Sequence, residues 1–236
     1  MKIKIFVTCC LGLLSVSCGG QKPAPEAIFQ VSTFDALMEG QFDGTTTFGR
    51  LKNLGDFGLG TFDKLDGEMI CLDGQFYQVK TDGKAYKVKP SMKTPFADVT
   101  SFEADQIKSL KELLNYQQVQ AYLDEQLPDK DGYYAIKIEG VFRYLRTRSV
   151  PAQEPPYPTL TKAIANQVAF EYEQIQGTMV GFRTPEAVQG TSTTGYHFHF
   201  ISADKSKGGH VLDCVIDDVQ IAIDQSDGLK VLPLKK

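Results

Sequence analysis

Between Phe42 and Val79 every short apolar or aromatic run is soon interrupted by a glycine or an Asp-Gly pair, at Gly55, Gly58, Gly60, Asp66-Gly67 and Asp73-Gly74. Punctuation this dense leaves no room for a helix of useful length. Glycine supplies the backbone angles that tight turns demand, so the segment reads as consecutive short strands joined by turns. Tyr133 to Val150 alternates and is rich in branched and aromatic residues, which predicts a long strand bent at Gly140. Further strands are expected over 169–175, 178–183, 196–202, 210–216 and 219–223.

Two stretches break this pattern. From Phe102 to Leu127 the residues Ile107, Leu110, Leu113, Leu114, Val119, Tyr122, Leu123 and Leu127 recur at intervals of three and four, and Pro128 follows, which predicts one or two helices. A short helix is expected over 160–167. Pro151 to Pro158 (PAQEPPYP) cannot join a central ladder and reads as a rigid connection. The expected fold is therefore α+β and two-lobed, with mainly mixed or antiparallel sheets partly covered by a few helices. The lobes are set at 28–155 and 156–236, the second β-barrel-like and carrying the metal.

A chain of 236 residues, 42% hydrophobic, can bury a substantial core. Its net charge of -4, with no block of Lys or Arg after the first few residues, excludes nucleic acid as a partner. Of five cysteines only Cys71 and Cys214 fall in the folded part, both in apolar runs, and are expected as buried free thiols.

All three histidines lie within Tyr196 to His210 (YHFHFISADKSKGGH). Side chains two apart in a strand share a face, so His197 and His199 project together and Phe198 and Phe200 project the other way. The polar loop from Ser202 to Gly209 folds the next strand back as a hairpin. If Ile201 lies opposite His210, the third imidazole stands on the same face, diagonal to His199; a slip of one residue would turn it away. Three neutral imidazoles with an open fourth position form the zinc site used for Lewis acid chemistry. Two other readings share these residues: ordinary strand histidines packed beside phenylalanines, and a cupin-type iron or manganese site. The latter usually adds a carboxylate a few residues on and a histidine from a distant strand, whereas here the nearest acid, Asp204, sits in the loop.

The strings GLGTFDKLDGEM from Gly58, TRSVPAQEPPYP from Thr147, GTMVGFRTP from Gly177 and GYHFHFISADKSKGGHVLDC from Gly195 make the chain, from about Phe29 to Ile223, resemble the bacterial acetolactate decarboxylases. The resemblance implies decarboxylation of 2-acetolactate to acetoin, one zinc ion per chain and a homodimer. It places the zinc ligands at His197, His199 and His210, the active-site arginine at Arg148, the glutamate at Glu68 and a nearby threonine at Thr61. The chemistry agrees with these roles. Loss of carbon dioxide from a β-keto acid sends electrons to the ketone oxygen, giving an enediolate that needs positive charge, from zinc and from Arg148, and then a proton. Glu68, desolvated by Phe62, Met69 and their neighbours, is the expected donor. Members of the family return a second glutamate to the metal from a C-terminal tail, and this sequence, ending DQSDGLKVLPLKK, shows no counterpart; Glu154, Glu171 or water would fill that role. An exported zinc-binding or interaction lipoprotein of the same fold, without catalysis, is the alternative reading.

The first 18 residues, MKIKIFVTCCLGLLSVSC, combine Lys2 and Lys4 with an apolar stretch too short to span a bilayer comfortably, which reads as an export signal. The run Leu14-Ser15-Val16-Ser17-Cys18-Gly19 resembles a bacterial lipobox, making Cys18 the expected lipidation site, with 19–27 as a Pro-rich tether. The protein is thus expected outside the cytoplasm, touching a membrane only through this lipid. Cells fed a labelled fatty acid should incorporate it into the parent protein and not into Cys18→Ala; label in neither would remove the anchor, and label in both would remove Cys18 as its site.

Overall fold

The structure is a computed structural model and describes residues 27–232. The signal, Cys18 and the tether up to residue 26 lie outside the described residues. The chain opens with β1 (Ile28–Val31), α1 (Phe34–Met38), β2 (Thr46–Thr47) and α2 (Phe48–Leu51). The densely punctuated region then forms β3 (Phe57–Thr61), β4 (Glu68–Leu72), β5 (Gln75–Val79) and β6 (Ala85–Lys87), followed by β7 (Lys93–Thr94) and β8 (Ala97–Thr100). The second half contains β9 (Gln106–Asn115), α3 (Tyr116–Gln126), β10 (Tyr133–Ser149) and α4 (Leu160–Ile164). It ends with β11 (Val168–Thr184), β12 (Gly195–Ser202), β13 (Gly208–Ser226) and β14 (Leu229–Leu232).

The strands form a seven-stranded sheet in the order β14-β1-β8-β3-β4-β5-β6 and a five-stranded sheet in the order β10-β11-β12-β13-β9. β10 also pairs with β13, so the second sheet curls back on itself. The mixed α+β class is as the sequence reads, but the partition is not. β10, expected in the first lobe, lies in the second sheet between β11 and β13, and the chain returns to the first sheet through β14. The sheets therefore divide near residues 100–106 and not at the proline-rich segment. A rigid connection marks a change of direction, whereas strand partners are chosen by packing over long sequence distances.

The first half of the expected helix is β9. Its Leu110 is buried while Ile107 and Leu113 are 59% and 54% exposed, so the interval of three carries no helical face. β13 is 19 residues long, and β9 satisfies its free edge with antiparallel pairing from Ile223 to Val215. The remainder forms α3, started by an Asn115–Gln118 capping box. It ends before Pro128.

The two sheets pack face to face. Phe57, Leu59, Ile70 and Val79 of the first meet Ala135, Val180, Phe182 and Ile201 of the second. The outer face of the first sheet is closed by α2 over Phe62, Met69, Cys71 and Phe76. Val119 and Leu123 of α3 close the outer face of the second, each buried side chain contributing roughly 1.5–3 kcal/mol. β11 approaches β12 so closely at Gly181 that a Cβ there would lie 2.1 Å from the Phe198 ring. Cys71 and Cys214 are free and buried in separate clusters, as expected. No helix among the described residues is long and apolar enough to cross a membrane.

Asp98 lies opposite Gln30 and Leu59 in the first sheet and so points into the layer between sheets, only 3% exposed, with its Oδ1 unpartnered among the described residues. Burial pushes its carboxyl from 3.8 up to about 8. Between those values the unfolded chain releases a proton that the folded chain keeps, so this group lowers stability progressively as pH rises from about 4 to about 8. Asp98→Asn, uncharged throughout, should gain stability over the parent by a margin that widens across that window in urea unfolding. A margin independent of pH would refute a buried neutral acid.

Candidate metal centre and cavity

A cavity of about 320 Å³ opens between the sheets. Thr61, Glu68, Arg148, His197, His199 and His210 line its polar part, whereas Phe34, Leu37 and Met38 of α1 and Leu160 and Ile164 of α4 form an apolar wall. All six residues singled out in the sequence for metal binding and chemistry therefore meet in one place.

Strand register explains the convergence. His199 lies directly opposite His210, not Ile201. The pairing is two residues from the expected one, and an even shift preserves the face. On its other side His210 lies opposite Arg148, while Phe182 and Val180 of β11 lie opposite His197 and His199. The second sheet thus presents four functional side chains on the face it turns toward the first. Arg148 belongs to this sheet, which corrects its expected origin in the first lobe. From the first sheet, the β3–β4 hairpin sets Thr61 opposite Glu68. Gly67 makes that turn with φ +86°, and a Cβ there would lie 2.2 Å from the Val79 carbonyl oxygen. The Thr61 hydroxyl donates to the Gly67 carbonyl at 2.8 Å, fixing the backbone just before Glu68.

The imidazoles point their nitrogens at one another. His210 Nδ1 lies 3.1 Å from His197 Nε2 and 3.3 Å from His199 Nε2. His199 Nδ1 donates to the Met69 carbonyl at 2.8 Å, which leaves Nε2 with a free lone pair facing inward. Burial, helped by the Arg148 charge, drives His197 down to about 3. Burial likewise puts His199 and His210 well below the ordinary histidine value, so all three are neutral. A proton on His210 Nδ1 serves only one of its two neighbours. Three nitrogens at about 2.0–2.1 Å from one tetrahedral ion would be separated by roughly 3.3–3.4 Å, close to the spacing observed, so these residues fit a divalent cation.

Glu68 is buried beside this centre. Its Oε2 lies 3.6 Å from His199 Nε2, and its Oε1 accepts a hydrogen bond from Arg148 Nη1 at 2.5 Å. Burial raises its pKa, opposed by the Arg148 charge and the Val150 amide. The desolvating neighbours differ from those expected. Met69, one residue on, and Phe62 face the opposite side of the sheet, so Glu68 is dried by the layer between sheets. Neither substitute glutamate reaches the cavity: exposed Glu154 pairs with Lys64 at 3.0 Å, and exposed Glu171 lies 3.7 Å from Arg146. Sequence reasoning missed three parts of the site. The Met69 carbonyl is a backbone group with no side-chain signal, α1 and α4 carry no motif that marks them as cavity walls, and nothing marks Thr193, whose hydroxyl lies 3.5 Å from His197 Nδ1.

A family model described as alpha-acetolactate decarboxylase matches residues 28–235. The chain belongs to the alpha-acetolactate decarboxylase family. It is 49% identical over 201 residues to the alpha-acetolactate decarboxylase of Methanosarcina mazei, covering 85% of this chain and 70% of that protein. To that of Methylococcus capsulatus it is 48% identical over 197 residues, covering 84% and 76%. The crystal structure of the Bacillus subtilis strain 168 alpha-acetolactate decarboxylase superposes with a TM-score of 0.87 at 36% identity, over 89% of this chain and 90% of that one. Family and fold both mark the chain as a decarboxylase, a lyase. His199→Ala, which removes the most buried of the three nitrogens, should abolish stoichiometric uptake of zinc, cobalt or iron offered singly and assayed after desalting. Retained uptake would place the metal elsewhere.

Proposed function

We propose that the protein converts 2-acetolactate to acetoin and carbon dioxide with one zinc ion held by His197, His199 and His210. The supporting observation is the convergence of three neutral imidazoles on a point beside the buried Glu68–Arg148 pair, in one cavity of a chain from this family. The substrate anion loses carbon dioxide, the electron pair of the broken bond moves onto the ketone oxygen, and one proton returns to the carbon that bore the carboxylate. When bound, zinc supplies positive charge that favours this electron flow.

The chain's own groups account for the rest. Arg148, permanently charged and reaching the cavity, attracts the substrate carboxylate and holds Glu68 in place. Glu68, kept protonated more readily by its dry surroundings, hands its proton to the substrate carbon from the face of the first sheet. Thr61 orients the hairpin that carries Glu68. The α1 and α4 wall keeps water from the polar end and receives the apolar methyl groups of the substrate. A protein that only bound zinc would have no use for a carboxyl buried against an arginine, which favours the enzyme over the binding reading.

Acetoin should form from racemic acetolactate with the purified protein, stop on chelation and resume with zinc. Chelator-insensitive turnover would remove the metal from the reaction, and stoichiometric zinc without acetoin would favour the binding protein. Glu68→Gln should retain zinc while losing roughly 10²–10⁴-fold in turnover. Parental activity in that variant would end its assignment as the acid.

A further inference from the structure

Gln30 is fully buried on β1, yet its side-chain oxygen has no hydrogen-bond partner among the described residues. A buried carboxamide with half its bonding capacity idle is unfavourable unless the other half does something specific. Both of its N–H bonds are made. Nε2 donates to the Ser32 carbonyl and, 161 residues away in sequence, to the Thr191 carbonyl, each at 2.7 Å. Turning the amide over would set its oxygen against two carbonyls, so the orientation is determined by the network.

The Thr191 carbonyl also accepts the Phe34 amide at 2.8 Å, and the Gly190 carbonyl accepts the Asp35 amide at the same distance. The first turn of α1 and residues 190–191 are therefore one hydrogen-bonded unit with Gln30 behind it. That unit faces the cavity from both sides. α1 supplies Phe34, Leu37 and Met38 to the wall, and two residues past Thr191 the Thr193 side chain lines the cavity against His197 Nδ1. The Thr193 carbonyl is held in turn by the Thr184 hydroxyl of β11.

We propose that Gln30 is a positioning residue for the reaction: its amide locks α1 to the strap 190–193, fixing the apolar wall and, through Thr193, the ring of His197. The inference rests on the reading of the cavity as a metal and substrate site, and its test separates the two. Gln30→Met keeps length and burial but loses both donors, and Gln30→Leu, shorter and also without donors, serves if the first does not fold. Val119→Ala, on the buried face of α3 and outside the cavity lining, controls for loss of stability.

In metal-free protein, amide hydrogen exchange over 33–38 and over 190–194 should accelerate together in the Gln30 variants and remain parental in Val119→Ala. Zinc Kd should weaken about tenfold, within the range for groups that orient ligands from behind. KM should rise more than kcat falls, because the wall shapes binding. A Gln30 variant that is merely less stable, with parental exchange in both segments and parental zinc Kd and KM, would overturn the proposal. Failure of the parent protein to bind zinc would overturn the metal-centre reading, while the exchange measurement would still decide the role of Gln30.

Discussion

His210 Nδ1 lies within 3.3 Å of a nitrogen of each of the other two rings, and one proton there can serve only one of them, so lone pairs are left facing one another unless a cation accepts them. The arrangement survives only if every ring is neutral and prevented from turning away. Burial secures the first condition by making a charged imidazole costly. Neighbouring groups secure the second: the Met69 carbonyl takes the outer N–H of His199, and the packed layer between sheets holds the rings. The three-histidine site of the second sheet thus depends on the backbone of the first.

The same dependence appears in the Glu68–Arg148 pair. Its partners come from different sheets and lie 80 residues apart. A buried ion pair of this kind adds little net stability, because desolvation offsets much of the attraction, but losing either member strands a charge in the interior. Its value here is positional. Arg148 keeps its guanidinium at the cavity by donating to Glu68 Oε1, which leaves Oε2, the oxygen able to carry the proton, facing His199. The hydrophobic contact between sheets supplies the stability that these polar groups do not.

Much of the site was legible because its signals are local. His197-x-His199 is a statement about one strand, and strand parity alone puts both rings on one face. The third histidine kept its face despite a misjudged register because the error was an even number of residues. The errors share a cause. Leu110 and Leu114 share a strand face as readily as a helix face, so periodicity could not separate the two over 106–115, and the need of β13 for an edge partner decided it. Arg148 precedes the proline-rich segment in sequence, but its partners, Ala169 and His210, lie beyond it, and only that long-range pairing puts Arg148 in the second sheet.

By itself the sequence determined what depends on neighbours along the chain: strand-dense architecture, the tight turn at Gly67, the paired histidines, and the motif matches that marked Glu68, Arg148 and Thr61. Only the tertiary structure decided which sheet each strand joined, which carbonyl oriented His199, that Glu154 and Glu171 stay outside, and that Gln30 reaches Thr191. Those outcomes are set by packing and by satisfying buried polar groups across the molecule, and such contacts leave no periodic trace in the residues that make them.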